Sequence, residues 1–235
     1  MNITYLGHAG FLLEGKGGRI AIDPLLTGNP HPAMQPEDVK ADLILITHGH
    51  GDHMSDAAML AKLSGGTVVG NYEIANYHRE ALGVNSHGMH LGGSYDFGWV
   101  RVKMTLAFHG SSMNLYPAVY MGNPGGYLIF MDGLTVYHAG DTGLFGDMEL
   151  IGRRHPIDVA LLPIGDNFTM GPEDALEAVK MLKPKKVIPM HYNTWDIIAQ
   201  DPEEFKSMVE KETPAQVVVQ KPGENAFLNS LALSL

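Results

Sequence analysis

The stretch Asp42-Leu43-Ile44-Leu45-Ile46-Thr47-His48-Gly49-His50-Gly51-Asp52-His53 decides how the rest of the chain is read. Its first half is a continuous apolar run of strand length, and its second half crowds three imidazoles and a carboxylate into six residues. A buried strand that opens into such a loop delivers those side chains to a sheet edge, where metal ligands and substrates are commonly gathered. Gly49 and Gly51 suit the tight turns that folding four donors around a small volume demands. The loop can serve two metal ions, but two catalytic sites need about three protein ligands each plus solvent, so further donors must come from elsewhere. Three candidates stand at strand ends: His109 after residues 100–108, Asp141 in the turn His138-Ala139-Gly140-Asp141-Thr142, and His191 after residues 186–190.

Working outward, the opening reads as a meander of short strands at 3–6, 10–13 and 19–22, split by glycine-rich turns. After the histidine loop comes a helix over 55–63 with Ser55 as its N-cap, then a strand at 67–69 and a helix over 73–82. Further strands are expected at 100–108, 126–130 and 135–138, with 116–126 as a long loop beside the site. The second half alternates strand 158–162, helix 172–182 with proline in its first turn, strand 186–190, helix 202–211 and strand 216–220. Antiparallel hairpins combined with strand–helix alternation predict a four-layer αββα architecture of the α/β class, two mixed sheets sandwiched between helices. No linker-like segment interrupts residues 1–235, which are read as one domain.

Composition narrows the function. The 235 residues include no cysteine, so thiolate metal sites, disulfides and a cysteine nucleophile are excluded, and any metal is held by imidazole and carboxylate. Such donors suit two divalent ions, Zn foremost, with Mn, Fe and Ni also compatible. A net charge of −10 with no block of Lys or Arg makes nucleic acid a poor partner and a small molecule the expected one. The absence of a basic, apolar leader and of any membrane-length apolar run points to a cytoplasmic protein, its homo-oligomerisation left open.

Other residues have two readings each. His8 is either a hydrogen-bond donor lining the site or a turn residue, and is not counted among the ligands. Asp23, before Pro24, either orients a ligand histidine or caps its own turn. Asp166 and Asn167 either line the pocket or form the turn before the 172–182 helix; Tyr192 and Asn193 either contact substrate or close their loop. His138, within a strand, is read as packed.

In order along the chain, His48-x-His50-x-Asp52-His53, His109, Asp141 in its Gly-Asp-Thr turn, and His191 resemble the motifs of the metallo-β-lactamase superfamily. The resemblance spans nearly the whole chain. Its nearest form is the UlaG-like, UPF0173-type branch of small metal-dependent hydrolases, through Tyr5-Leu6-Gly7-His8-Ala9, the segment from Leu162 to Met170, and Pro189-Met190-His191-Tyr192-Asn193. It implies that one ion takes His48, His50 and His109, the other Asp52, His53 and His191, with Asp141 bridging. Metals so held, about 3.5–4 Å apart, bind a hydroxide and polarise an acyl or phosphoryl oxygen, which implies hydrolysis of an ester, lactone or phosphoester. Asp52 is assigned as a ligand first and a proton acceptor second.

Alternatives are a phosphodiesterase acting on nucleotides or nucleic acid, and a metal-binding protein without catalysis. The acidic balance and the lack of a large insert weigh against the former, and a complete ligand set against the latter. The missing leader argues against a secreted β-lactamase, and the short chain after His191 against a hydroxyacylglutathione hydrolase. Aspartate at position 52, where the flavodiiron branch usually carries glutamate, weighs against redox chemistry.

Overall fold

The computed structural model describes residues 1–113 and 116–228. The chain begins with β1 (Asn2–Gly7), β2 (Gly10–Glu14) and β3 (Arg19–Ile22), an antiparallel meander as expected from its turns. From there the direction of growth changes. β4 (Leu43–Leu45) lies parallel to β3; then come α1 (Gly51–Met54), α2 (Ala57–Ser64), β5 (Thr67–Asn71), α3 (Tyr72–Glu80) and β6 (Ser86–Met89), each strand parallel to the one before.

The second sheet starts at β7 (Ser94–Asp96) and β8 (Arg101–Leu106) and leaves a small hairpin, β9 (Ser112–Met113) with β10 (Val119–Tyr120). It continues through β11 (Gly125–Met131), β12 (Leu134–His138), α4 (Asp147–Arg154), β13 (Val159–Pro163), α5 (Pro172–Leu182), β14 (Lys186–Met190), α6 (Pro202–Glu212) and β15 (Gln216–Val217). Finally β16 (Asn225–Phe227) returns to the first sheet beside β1. Both sheets are seven-stranded and mixed.

Alternation explains the layers. In β4, Leu43 and Leu45 point into the space between the sheets, among Ile20, Ile22, Val102, Ile129 and Leu161. Ile44 points the other way, onto Leu60 and Ala61 of α2. A strand covered on both faces must be apolar on both, hence its unbroken apolar run. In the second sheet Leu128, Tyr137, Ala160 and Val187 face outward against Met148 of α4, Leu176 and Val179 of α5, and Phe205 and Val209 of α6. The resulting helix–sheet–sheet–helix stack is the αββα architecture expected. Each fully buried leucine or isoleucine contributes roughly 1.5–3 kcal/mol by leaving water.

Four expectations need correction. Ser55 does not cap the second helix: it ends α1, and the cap position of α2 is Asp56, whose buried carboxylate instead accepts from the Leu26 and Thr27 amides at 2.7 and 2.8 Å. Residues 51–54, read as loop, are helical because the His50 carbonyl accepts from the amides of His53 and Met54, closing one turn. Segment 116–126 is not a plain loop; it carries β10 and the start of β11. The last expected strand stops at Val217, since β15 pairs with β14 through only two residues before the chain turns away. The short edge strands β6 and β7, and the helix α4, lack the long periodic pattern that would announce them.

Near the site, the Tyr127 hydroxyl crosses from the second sheet to donate to the Ile46 carbonyl at 2.8 Å, just past β4. The ring is fully buried. Tyr127→Phe keeps the packing and leaves that carbonyl short of a partner, an expected loss of about 1 kcal/mol and a fall in Tm of roughly 2–4 °C, read by thermal unfolding.

Candidate metal centre

Strand direction gathers the donors. β12, β13 and β14 are mutually parallel, and β11 is antiparallel to both β8 and β12, so β8, β12 and β14 all end on one edge of the second sheet. His109, Asp141 and His191 lie just beyond those ends and face the loop after β4. Among the described residues, His48, His50 and His109 bring ring nitrogens within 4.8 Å of one another, and a second group joins His8, Asp52, His53 and His191 in the same way. Asp141 stands between the groups. Its Oδ2 is 2.9 Å from His191 Nε2, 3.3 Å from His53 Nε2, 3.5 Å from His109 Nε2 and 3.9 Å from His48 Nε2. All seven side chains named from the sequence are thus brought together.

The electrostatics fit a cation. Among the described residues, His53 Nε2 and Asp141 Oδ1 are buried without a hydrogen-bond partner, a cost that a positive ion in contact with both would remove. Burial, reinforced by the neighbouring imidazoles, keeps His48 well below the ordinary histidine range, and burial likewise lowers His50 and His109. These rings therefore offer lone pairs. Burial opposes the charge of Asp52 and Asp141, yet the contacts of Asp52 with His8 and His53, and of Asp141 with His191 and His53, hold both carboxylates well below their usual range. His53 alone is pushed up against its burial, by Asp141 and Asp23.

Asp23 resolves in favour of orienting ligands. It is fully buried; Oδ1 accepts from the Thr47 amide at 2.8 Å, and Oδ2 accepts from the Thr47 hydroxyl at 2.5 Å and His53 Nδ1 at 2.8 Å. The Thr47 hydroxyl has one proton, spent on Asp23, so its 2.9 Å contact with His48 Nδ1 requires that nitrogen to donate. One carboxylate therefore fixes a proton on Nδ1 of both His48 and His53, so that Nε2 of each faces Asp141 and the donor cluster. His8 resolves similarly. Its Nε2 lies 3.1 Å from Asp52 Oδ2, which can only accept, so Nε2 donates and Nδ1 accepts from the Thr194 hydroxyl at 2.8 Å. That ring positions Asp52, and burial holds it down at about 4 despite the carboxylate.

The remaining candidates divide. Asp166 and Asn167 do not line the cleft over the donors; both adopt left-handed backbone, φ 58° and 46°, forming the turn. Phe168 reaches the cleft instead. Asn193 is clasped to Gln200, donating to its carbonyl at 2.9 Å and accepting from its amide at 2.8 Å; it and the buried Tyr192 line a neighbouring cavity that also touches His8 and Thr194, not the cleft over the donors. His138 is buried and packed, donating to the Ala9 carbonyl at 2.9 Å and accepting from the Gly140 amide at 3.1 Å. Thr47, Thr194, Phe168 and Trp195 were not singled out in the sequence, where only the adjacency of Thr47 to His48 signalled any of them.

Residues 2–191 match a family described as the Beta-lactamase superfamily domain. A UPF0173 metal-dependent hydrolase of Pelotomaculum thermopropionicum is 60% identical, across 97% of this chain and all of the relative. The chain belongs to the UPF0173 metal-dependent hydrolase family. A Thermococcus kodakarensis member is 52% identical over 97% of this chain and the whole of its own length. The solved structure of Igni18, a metallo hydrolase from Ignicoccus hospitalis, superposes with a TM-score of 0.87 at 41% identity, covering 96% of this chain and 97% of Igni18. This UPF0173 protein is thus a metal-dependent hydrolase with a metallo-β-lactamase fold. Among its described residues no helix is long and apolar enough to cross a membrane.

Asparagine at position 23 replaces one accepting oxygen with an NH₂ donor, so it cannot accept from the Thr47 amide on one side and from the Thr47 hydroxyl and His53 on the other. Asp23→Asn is expected to weaken metal affinity by roughly 10–100-fold while circular dichroism stays native, as measured by competition with a chromogenic chelator.

Proposed function

We propose that this UPF0173 protein cleaves an ester, lactone or phosphoester bond of a small molecule, using two divalent ions, Zn foremost. One ion is assigned to His48, His50 and His109, the other to Asp52, His53 and His191, and Asp141 to both. The observation that carries the reading is the position of Asp141, its Oδ2 facing imidazoles of both groups while Oδ1 has no partner. A carboxylate with two oxygens can serve two cations and offset their repulsion, which a neutral imidazole cannot. When bound there, such ions supply an acidified water and a positive charge against a developing oxyanion.

The chain's own residues do the rest. Asp23 and Thr47 hold His48 and His53 in the tautomer that presents Nε2. His8, braced by Thr194, donates to Asp52 Oδ2 and fixes that carboxylate at the edge of the cleft. Asp52 is one-quarter exposed at its side chain, against 2% for Asp141, so it is the carboxylate that can take a proton from the reacting groups and pass it to solvent. The cleft of about 180 Å³ admits a small molecule, in keeping with the acidic charge balance that disfavours nucleic acid.

His48→Ala is expected to lower metal content in protein purified without added metal, read by elemental analysis. Asp141→Asn replaces one ligating oxygen with an NH₂ donor; metal binding should weaken and kcat fall roughly 100-fold or more, the scale on which loss of one charge-stabilising group acts. Chelation should abolish hydrolysis and a divalent metal restore it. Full metal content in His48→Ala, or hydrolysis that survives rigorous metal removal, overturns the assignment.

A further inference from the structure

Of the seven described residues that line the cleft, five belong to the metal-site set: His50, Asp52, His109, Asp141 and His191. The other two are Phe168 and Trp195, and no lysine or arginine is among them. Both rings stay open to solvent, 52% and 42% exposed. The chain holds them there with some effort. Phe168 follows two successive non-glycine residues in left-handed backbone, Asp166 and Asn167, a conformation L-residues rarely adopt and Asp and Asn adopt most readily because their side chains bond locally. Its turn is tied down by Asp166 N–H to the Met170 carbonyl at 3.0 Å and Met170 N–H to the Thr142 carbonyl at 2.9 Å. Thr142 adjoins Asp141, so that bond ties the turn carrying the carboxylate to the turn carrying the ring. Trp195 meets the His8 ring edge-on, centroids 4.9 Å apart, next to the Thr194 hydroxyl that braces His8.

Anionic substrates are ordinarily gripped by guanidinium or ammonium groups, or by free amides at a helix N-terminus. Among the described residues this cleft offers no such side chain, so an anion would be held by the ions alone, whose four positive charges Asp52 and Asp141 would cut to two in a chain that carries −10 overall. Two exposed rings facing a polar floor suit a flat apolar group held beside a reacting carbonyl.

We infer that the substrate is an uncharged carboxylic ester or lactone carrying a planar apolar ring, gripped by Phe168 and Trp195, rather than a phosphoester. This rests on the hydrolase reading above and narrows its three bond types to two. In the reaction water adds to the acyl carbon, the carbon–oxygen bond to the leaving alcohol breaks, and that alcohol takes up a proton while the acid loses one, so no other reactant is needed.

The test uses the metal-loaded protein with phenyl acetate, ethyl acetate and phenyl phosphate, alongside a binding titration with 2-phenylethanol, which cannot be hydrolysed. Expected are a kcat/KM for phenyl acetate at least tenfold above that for either other substrate, and a rise in its KM of roughly 3–10-fold in Phe168→Ala, larger than any change in kcat. 2-Phenylethanol should shift tryptophan emission saturably, and Trp195→Phe should abolish the shift, since Trp99 is the only other tryptophan. Preference for phenyl phosphate leaves hydrolysis standing and overturns this inference, as does an unchanged KM in Phe168→Ala or the lack of an emission shift. A saturable shift in a protein that cleaves none of the three supports recognition of the ring and overturns the ester, lactone or phosphoester cleavage proposed above instead.

Discussion

One buried carboxylate organises the centre. Asp23 follows β3 directly, with its backbone amide bonded to the Leu45 carbonyl at 3.0 Å and its side chain wholly excluded from water. A charge in that position is tolerable only when it is fully hydrogen-bonded. Its partners are the start of the histidine loop, at Thr47, and the short helix after it, at His53, so the groups that neutralise Asp23 are the groups that shape the site. Through Thr47 the order reaches His48 as well. The tautomers of two imidazoles thus follow from satisfying one buried charge.

The other half of the centre depends on how two sheets meet. The apolar faces of β3 and β4 pack onto those of β8, β11, β12 and β13, and that packing brings the strand ends carrying His109, Asp141 and His191 against the loop after β4. Close packing is what makes the arrangement stiff. Tyr127 adds a polar tie across the same seam, and the turn holding Asp141 is linked to the turn that raises Phe168. Donor positions and cleft wall are consequently set by the same backbone contacts, and a shift in one would move the other.

Legibility varied with the kind of signal. The meander of β1 to β3 and the helix over Pro172–Leu182 were readable because turns, proline and periodicity agreed locally. Ser55 misled because a good cap residue next to an apolar period is a local argument, whereas the helix start was settled by Asp56 being drawn to the Leu26 and Thr27 amides thirty and twenty-nine residues away. The end strand β16 has only three residues and pairs with the first strand of the chain, a partnership no local window contains. Asp166 and Asn167 carry two readings from their place after a strand, pocket or turn, and left-handed backbone puts them in the turn and presents Phe168 to the cleft.

By itself the sequence determined the chemistry: with no cysteine and with imidazoles and carboxylates at seven spaced positions, only a nitrogen–oxygen metal site was available, and the strand and helix periods allowed an αββα stack. Those properties are local or compositional, carried by side chains whose function is intrinsic. Tertiary structure decided which ordinary residues serve that chemistry. Thr194 braces His8 across 186 positions, Asp23 holds His53 across 30, and Trp195 and Phe168 line one cleft from separate loops. A hydroxyl or an aromatic ring has no role until a partner lies within about 3–5 Å of it, and the folded backbone alone sets that distance.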